Sequence, residues 1–389
     1  MKILLSAVYS VFSCFVIQNY CHAQEIDQSK LLAFYENQQY AEAANYMLSH
    51  YGDSVQDKRM LASIANNFRM AGQVNKAEVY YHKLYTLDST HRGALSNLGA
   101  FSYQKGNLQK AKFFYTKLLE VDSVHVQSLV VLADLAKTEA KLDDALKYLR
   151  HANAIAPDRS DIVYDLASLY IVLEANLDAE ELLAKSLEND PENILLMKLQ
   201  LEVLYAQKKY TEVVQLGERL EEIGDRSDLL YGIMAPSYYF LKKYDKGIET
   251  YDKLEESGDL KEGSLYYKAM CYKALKRNEE AIAYLDKTLE AAVSENTSSY
   301  YTIKAQVYED MNWNKNALAA YQKSLQFKEE PLTFYSLALL YDLRFKQVNN
   351  ASKYYNTYLK VEKDLKGNKD YIDYVTERLK QLNAGTAKK

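Results

Sequence analysis

From Asn97 to Asp122 the apolar side chains fall on two stripes spaced by three and four residues. Leu98 and Phe101 lie on the first; Leu108, Ala111, Phe114, Tyr115 and Leu118 lie on the second, with Gly106 between them. That period predicts two amphipathic helices joined by a tight turn. Gly99 and Ala111 are small enough to let the two backbones approach closely, while Leu98 and Tyr115 fill the space around the contact. Lysines and glutamines at the other positions make a solvated outer face. One such hairpin cannot bury both stripes, so it needs neighbours of its own kind.

The neighbours recur at a fixed distance. Ala43, Ala77, Ala111, Ala145 and Ala179 keep a constant 34-residue spacing, and the series runs on through Val213, Gly247 and Ala281. It resumes at Ala317 and Ala351 after a two-residue slip. A first-helix series matches it at Ala65, Gly99, Ala133, Ala167, Ala235, Ala269, Ala305 and Ala338, with Leu31 and Leu201 as larger members. Leu98-Gly99, Leu166-Ala167 with Tyr170, then Tyr238, Tyr272, Tyr308 and Tyr341, and the closing Asp190-Pro191, complete the pattern. In these positions residues 24–364 resemble the tetratricopeptide repeat family. The resemblance implies an all-α fold: an α-solenoid, or superhelix, of about ten 34-residue helix-turn-helix repeats. A last stripe, Ile372, Val375, Leu379 and Leu382, predicts a C-terminal capping helix over 370–383.

The expected organisation is a signal peptide at 1–23, a partial capping repeat at 24–57, an N-terminal stack at 58–227, a C-terminal stack at 228–364, and a capping helix with tail at 365–389. The division near 227 follows from weakened signature positions. Gly217 replaces an aromatic, Val213 and Gly247 replace ladder alanines, and Pro236 lies inside a first helix. Six of the 13 glycines fall between Gly217 and Gly263. Interior glycine costs about 1 kcal/mol and interior proline about 3, so a bend or hinge is expected at 217–247. The slip is expected at Ser294–Ser298, and one further residue in the last turn, Arg344–Asn350.

The N-terminal segment, 1–23, differs from the rest. Lys2, an apolar stretch from Ile3 to Ile17, and small Ala23 before Gln24-Glu25 have the layout of a secretory signal. The stretch is shorter than the roughly 20 residues a membrane helix needs. The expected location is therefore outside the cytoplasm, in the periplasm or cell envelope of a Gram-negative bacterium, with no integral membrane segment after signal removal. Cys14 and Cys21 would leave with it, so Cys271 stands alone and is expected to be a buried, inert thiol.

Charge changes little. The net charge is −5 with 26% charged residues, and no basic run appears, which argues against a nucleic-acid partner. The six histidines are scattered, and no metal, phosphate-loop or nucleophile motif occurs. Acidic pairs such as Glu180-Glu181, Glu221-Glu222 and Glu279-Glu280 read as solvated faces. No enzyme activity, metal or cofactor is expected. Asp53-Ser54, Asp88-Ser89 and Asp122-Ser123 resemble a glycosylation sequon of exported proteins. Their place at repeat boundaries reads instead as helix capping.

Tyrosine is the outlier, at 36 residues. The resemblance places partners in the concave groove of first-helix side chains. Counting from the alanine ladder puts Arg59, Asn66, Tyr103, Tyr164, Lys198, Tyr205, Tyr239, Tyr266 and Tyr335 there, with Asp134, Lys137, Glu202, Phe240 and Asp342 beside them. Tyrosine offers large apolar area, few rotors and one hydroxyl, which suits a protein or peptide partner. The expected function is a non-catalytic binding scaffold, with a carbohydrate-binding accessory protein for envelope polysaccharide as the alternative. The basic clamp that grips peptide carboxy-termini in some members of the family is incomplete, since Ala62 and Gly93 stand where its basic residues belong.

Overall fold

The computed structural model describes residues 26–52, 55–258, 260–292, 296–362 and 369–386. The signal-like segment 1–23, Asp53-Ser54 and parts of the predicted slip and tail lie outside them. The chain parts into two compact units, one ending at Ala175 and the other starting at Asn176.

The first unit holds α1 (Gln28–Glu36), α2 (Tyr40–Tyr51), α3 (Lys58–Met70), α4 (Val74–Leu87), α5 (Arg92–Gln104), α6 (Leu108–Val121), α7 (Val126–Thr138), α8 (Leu142–Ile155) and α9 (Ser160–Val172). The second holds α10 (Asn176–Asn189), α11 (Ile194–Ala206), α12 (Tyr210–Glu222), α13 (Asp228–Phe240), α14 (Tyr244–Ser257), α15 (Glu262–Ala274), α16 (Asn278–Ala291), α17 (Thr297–Asp310), α18 (Asn314–Phe327), α19 (Pro331–Leu339), α20 (Val348–Glu362) and α21 (Lys369–Thr386). A π-helical turn, Leu340–Arg344, follows α19. No strand occurs among the described residues. Within each unit, successive helices pack as hairpins and each hairpin packs on the next, the arrangement of an α-solenoid.

The alanine ladder explains the packing. Ala43, Ala77, Ala111, Ala145, Ala179, Val213, Ala281, Ala317 and Ala351 are fully buried. At Gly99 an added Cβ would stand 3.1 Å from the Tyr115 ring, so the missing side chain is what seats that ring between the helices.

The first eight turns between paired helices each pass through one residue in the left-handed region, and those residues keep the 34-residue phase: Gln38, Gly72, Gly106, Ala140, Glu174, Lys208, Lys242 and Lys276; Asn312 and Lys346 follow after the two-residue slip. Lys208 shows the geometry. Its N–H donates to the Tyr205 carbonyl and that of Lys209 to the Leu204 carbonyl, both at 2.9 Å, closing the orphan carbonyls of α11. Only two of these eight positions are glycine, the residue that adopts this conformation without a Cβ penalty. Lys208→Gly and Lys242→Gly are each expected to raise stability by about 0.5–1 kcal/mol. A denaturation midpoint that falls in either variant would contradict this account of the turns.

The repeat boundaries are capped differently from the expectation. His91 and His125, one repeat apart, accept the Ala94 and Ser128 backbone N–H groups through Nδ1, each at 3.2 Å. Asp88 instead takes the N–H and hydroxyl of Thr90 at 3.1 and 2.8 Å. Ser89 and Ser123 are exposed and cap nothing.

Two local expectations are corrected. The extra residue of the last repeat is absorbed by the π-helical turn at Leu340–Arg344, before the segment where it was expected. The division expected near 227 falls inside the second unit, where one apolar cluster runs from Met197 to Val307. The weak signature positions there are repacked. An added Cβ at Gly217 would lie 2.5 Å from Met234 Sδ, and one at Gly247 would lie 3.2 Å from Cys271 Sγ. Met234 fills the missing ring's place, and the Cys271 thiol leans over the missing ladder methyl. Cys271 is buried, and burial pushes its thiol up to about 12, so it is unreactive at neutral pH.

Candidate peptide-binding groove

In the first unit the predicted groove residues are mostly engaged with one another. Arg59 is exposed on the first turn of α3. Asn66, on the same helix, accepts from the Arg69 guanidinium at 2.8 and 3.2 Å. The Tyr103 hydroxyl of α5 donates to Asp134 of α7, and this bond, with burial behind it, pushes the phenol up to about 12. Lys137 stands 3.7 Å from Asp134 and 3.4 Å from Asp165 of α9. Tyr164, like Arg59, is exposed without a hydrogen-bond or ring partner among the described residues.

The second unit gathers its rings. Tyr205, at the end of α11, lies 6.0 Å from Tyr210, which stacks on Phe240 at 4.6 Å. Phe240 and Tyr239, at the end of α13, lie 5.7 and 5.3 Å from Tyr267 of α15. Tyr267 touches Tyr266 at 5.2 Å, and Tyr266 reaches Tyr300 of α17 at 5.1 Å. Burial raises the Tyr205, Tyr239 and Tyr266 phenols above their ordinary value, so all remain hydrogen-bond donors at physiological pH.

Two predicted groove residues prove to be committed elsewhere. Lys198 pairs with Asp225 at 3.0 Å. Tyr335 is covered by α21, with Tyr371 and Tyr374 at 4.9 and 6.2 Å, and beside it Asp342 is buried against Arg378 of that helix. The acidic pairs are ion-paired surface: Glu180 with Lys209 at 2.6 Å, Glu221 with Lys253 at 2.5 Å, Glu280 with Arg277 at 2.8 Å. No cluster of three metal-ligating side chains occurs among the described residues.

Two pockets with shared lining lie among these helices. A pocket of about 500 Å³ is lined by Glu202 of α11, by Asp228, Leu229, Gly232 and Ile233 of α13, by Leu254, and by Lys261 and Ser264. A second, of about 220 Å³, shares Gly232, Lys261 and Ser264 and adds Tyr205, Pro236, Tyr251, Gly263 and Tyr267. A Cβ at Gly232 or Gly263 would meet nothing within 4 Å. The depression therefore exists because first-helix positions that carry side chains in other repeats are empty here. Pro236 has no N–H, so the Gly232 carbonyl one turn earlier loses its helical donor.

Gly232 and Pro236 lie one full repeat after Lys198 and Glu202, in the same groove phase. The ladder count reaches them, but neither offers a recognising side chain, so a search for such side chains passes over both. Tyr267, one position off that phase, has no signal in the spacing.

Hairpins repeated at a 34-residue period define a helical-repeat scaffold. Family models described as tetratricopeptide repeat match residues 138–203 and residues 93–125, 263–292 and 298–331. These matched segments are tetratricopeptide repeats. No curated protein matches the chain. Among solved structures it is similar to a tetratricopeptide repeat protein from Parabacteroides merdae, at 19% identity over 63% of this chain and 98% of that one, with a TM-score of 0.42. It is also similar to MamA, at 19% identity over 42% and 90% with a TM-score of 0.39. A third is YrrB, described as a tetratricopeptide repeat protein with an unusual peptide-binding site, at 18% identity over 46% and 91% with a TM-score of 0.41.

Proposed function

We propose that this chain is a non-catalytic scaffold of the Gram-negative cell envelope that binds a protein or peptide along the aromatic strip of its second unit. Tetratricopeptide scaffolds typically bind proteins or peptides. The observation that carries the reading is the run of partly exposed rings from Tyr205 through Tyr239 and Tyr267 to Tyr266, beside a pocket bounded by Glu202 and Ser264. Rings of this kind bury large area with little loss of rotamer freedom, and hydroxyls at their rims can pair with a peptide backbone. The envelope placement rests on the signal-like sequence of residues 1–23. No helix among the described residues is long and apolar enough to cross a membrane.

The test is affinity capture from an envelope fraction with wild-type protein and with Tyr205→Ala/Tyr239→Ala. The pair of substitutions is expected to lower capture of the specific partner at least about 10-fold, each ring contributing about 1–2 kcal/mol at a binding hot spot. Helical circular dichroism should stay unchanged. Undiminished capture would place the partner elsewhere. Retention of envelope polysaccharide with no protein would replace this reading with glycan binding.

A further inference from the structure

Three polar groups at the groove lack a partner that their position would ordinarily supply: Tyr251 is buried, Glu202 is partly buried, and Gly232 is exposed. Glu202 is partly buried, and it has no hydrogen-bond or ion-pair partner among the described residues. Burial alone raises its carboxyl above the ordinary value. The Gly232 carbonyl has lost its helical donor to Pro236. Tyr251 is 1% exposed, its side chain borders the smaller pocket, and its hydroxyl has no partner. A buried hydroxyl left unpaired costs roughly 1–3 kcal/mol, and a fold keeps such a group where something else pairs with it.

All three are hydrogen-bond acceptors, or can serve as one, and they line two pockets that share Gly232, Lys261 and Ser264: Glu202 the larger, Tyr251 the smaller, Gly232 both. The charged rim of the larger carries Glu202 and Asp228 against Lys261, a formal balance of one negative charge. Tyr205 and Tyr267 form ring walls on the smaller pocket. At about 220 Å³ that pocket is below the roughly 300 Å³ where sites for drug-sized ligands begin. It suits one long side chain, not a cofactor. Acceptors, aromatic faces and a carboxylate in the adjoining pocket are the surroundings that an ammonium or guanidinium group seeks.

We propose that this pocket is a specificity subsite that takes a lysine or arginine side chain of the bound peptide. Glu202 supplies the counter-charge, the Gly232 carbonyl and Tyr251 hydroxyl accept its N–H groups, and Tyr205 and Tyr267 flank its stem. The proposal rests on the groove being a peptide site, and it adds which residue the peptide presents.

The probe is a set of fluorescein-labelled heptapeptide pools, randomised except for a central Lys, Arg, norleucine or Glu, read by fluorescence polarisation. Wild-type protein is expected to bind the Lys and Arg pools about 10-fold tighter than the norleucine pool, the scale of one charge-assisted contact with cation–π support. Glu202→Gln should erase that preference, bringing the Lys and Arg pools to the affinity of the norleucine pool in the same variant. Tyr251→Phe should weaken the cationic pools about 3-fold or more while thermal stability holds or rises, because an orphan hydroxyl is removed. A hydroxyl with a purely structural role would give the opposite pair of results. Equal binding of all four pools that Tyr205→Ala/Tyr239→Ala abolishes would overturn the subsite and keep the peptide groove. Preference for the Glu pool would overturn it in favour of Lys261 as the reading group. Failure of every pool to bind would overturn both.

Discussion

Arg378→Ala should strip α21 from the second unit at a cost of about 3 kcal/mol, the low end for breaking a buried ion pair. The Arg378 guanidinium forks onto Asp342, with Nε at 2.7 Å from one oxygen and Nη2 at 2.9 Å from the other. Asp342 sits in the π-helical turn with its side chain 3% exposed, and the Tyr355 hydroxyl donates to it at 3.2 Å. Removing the guanidinium leaves a buried carboxylate with one neutral donor. The Arg378 bond, ahead of all else, holds the Asp342 carboxyl below its ordinary value. A depressed folded value stabilises fully above the unfolded value near 4 and is lost as pH falls through the folded one. Arg378→Ala reverses that logic, because the unpaired carboxyl now prefers its proton. The deficit should therefore be largest at neutral pH and shrink towards pH 4. Hydrogen exchange of α20 and α21 at pH 7 reads it directly. Wild-type protection in the variant would show that the pair does not hold the last helix.

Gly217→Phe, which restores the family's ring at that position, should destabilise the second unit by about 3 kcal/mol, the upper range for overpacking a filled core. Met234 already occupies the space, with Sδ 2.5 Å and Cγ 2.6 Å from where a Cβ would stand. Met234→Ala alone should cost roughly 2–4 kcal/mol through the cavity it leaves. The double variant should recover most of both losses, since ring and thioether compete for one site. Additive losses in chemical denaturation would mean that Met234 is not the substitute for the ring.

Ladder spacing makes the helix pairs, their phase and the last helix legible in the chain, because Ala111 and its equivalents must be small wherever two backbones meet. Spacing cannot reveal compensation between different elements. Gly217 and Gly247 look like defects along the chain and are complements of Met234 and Cys271 across a helix interface. Nothing in composition marks the parting after Ala175. The His91 and His125 caps share the repeat phase, but a search for catalytic or metal-binding histidines does not look for phase. In the groove, phase finds Tyr205, Tyr239 and Tyr266 but also Tyr335, which a helix from farther along the chain covers. The pocket is least legible, since Gly232, Gly263 and Pro236 make it by what they lack.

Site-specific photocrosslinking tests the central claim most directly. A benzophenone amino acid placed at Tyr267 is compared with one at Glu249, which is exposed on α14. The account predicts that the probe at 267 traps one discrete protein partner through its peptide chain, while the probe at 249 traps none. Trapping of the same partner at 249 and not at 267 would contradict it.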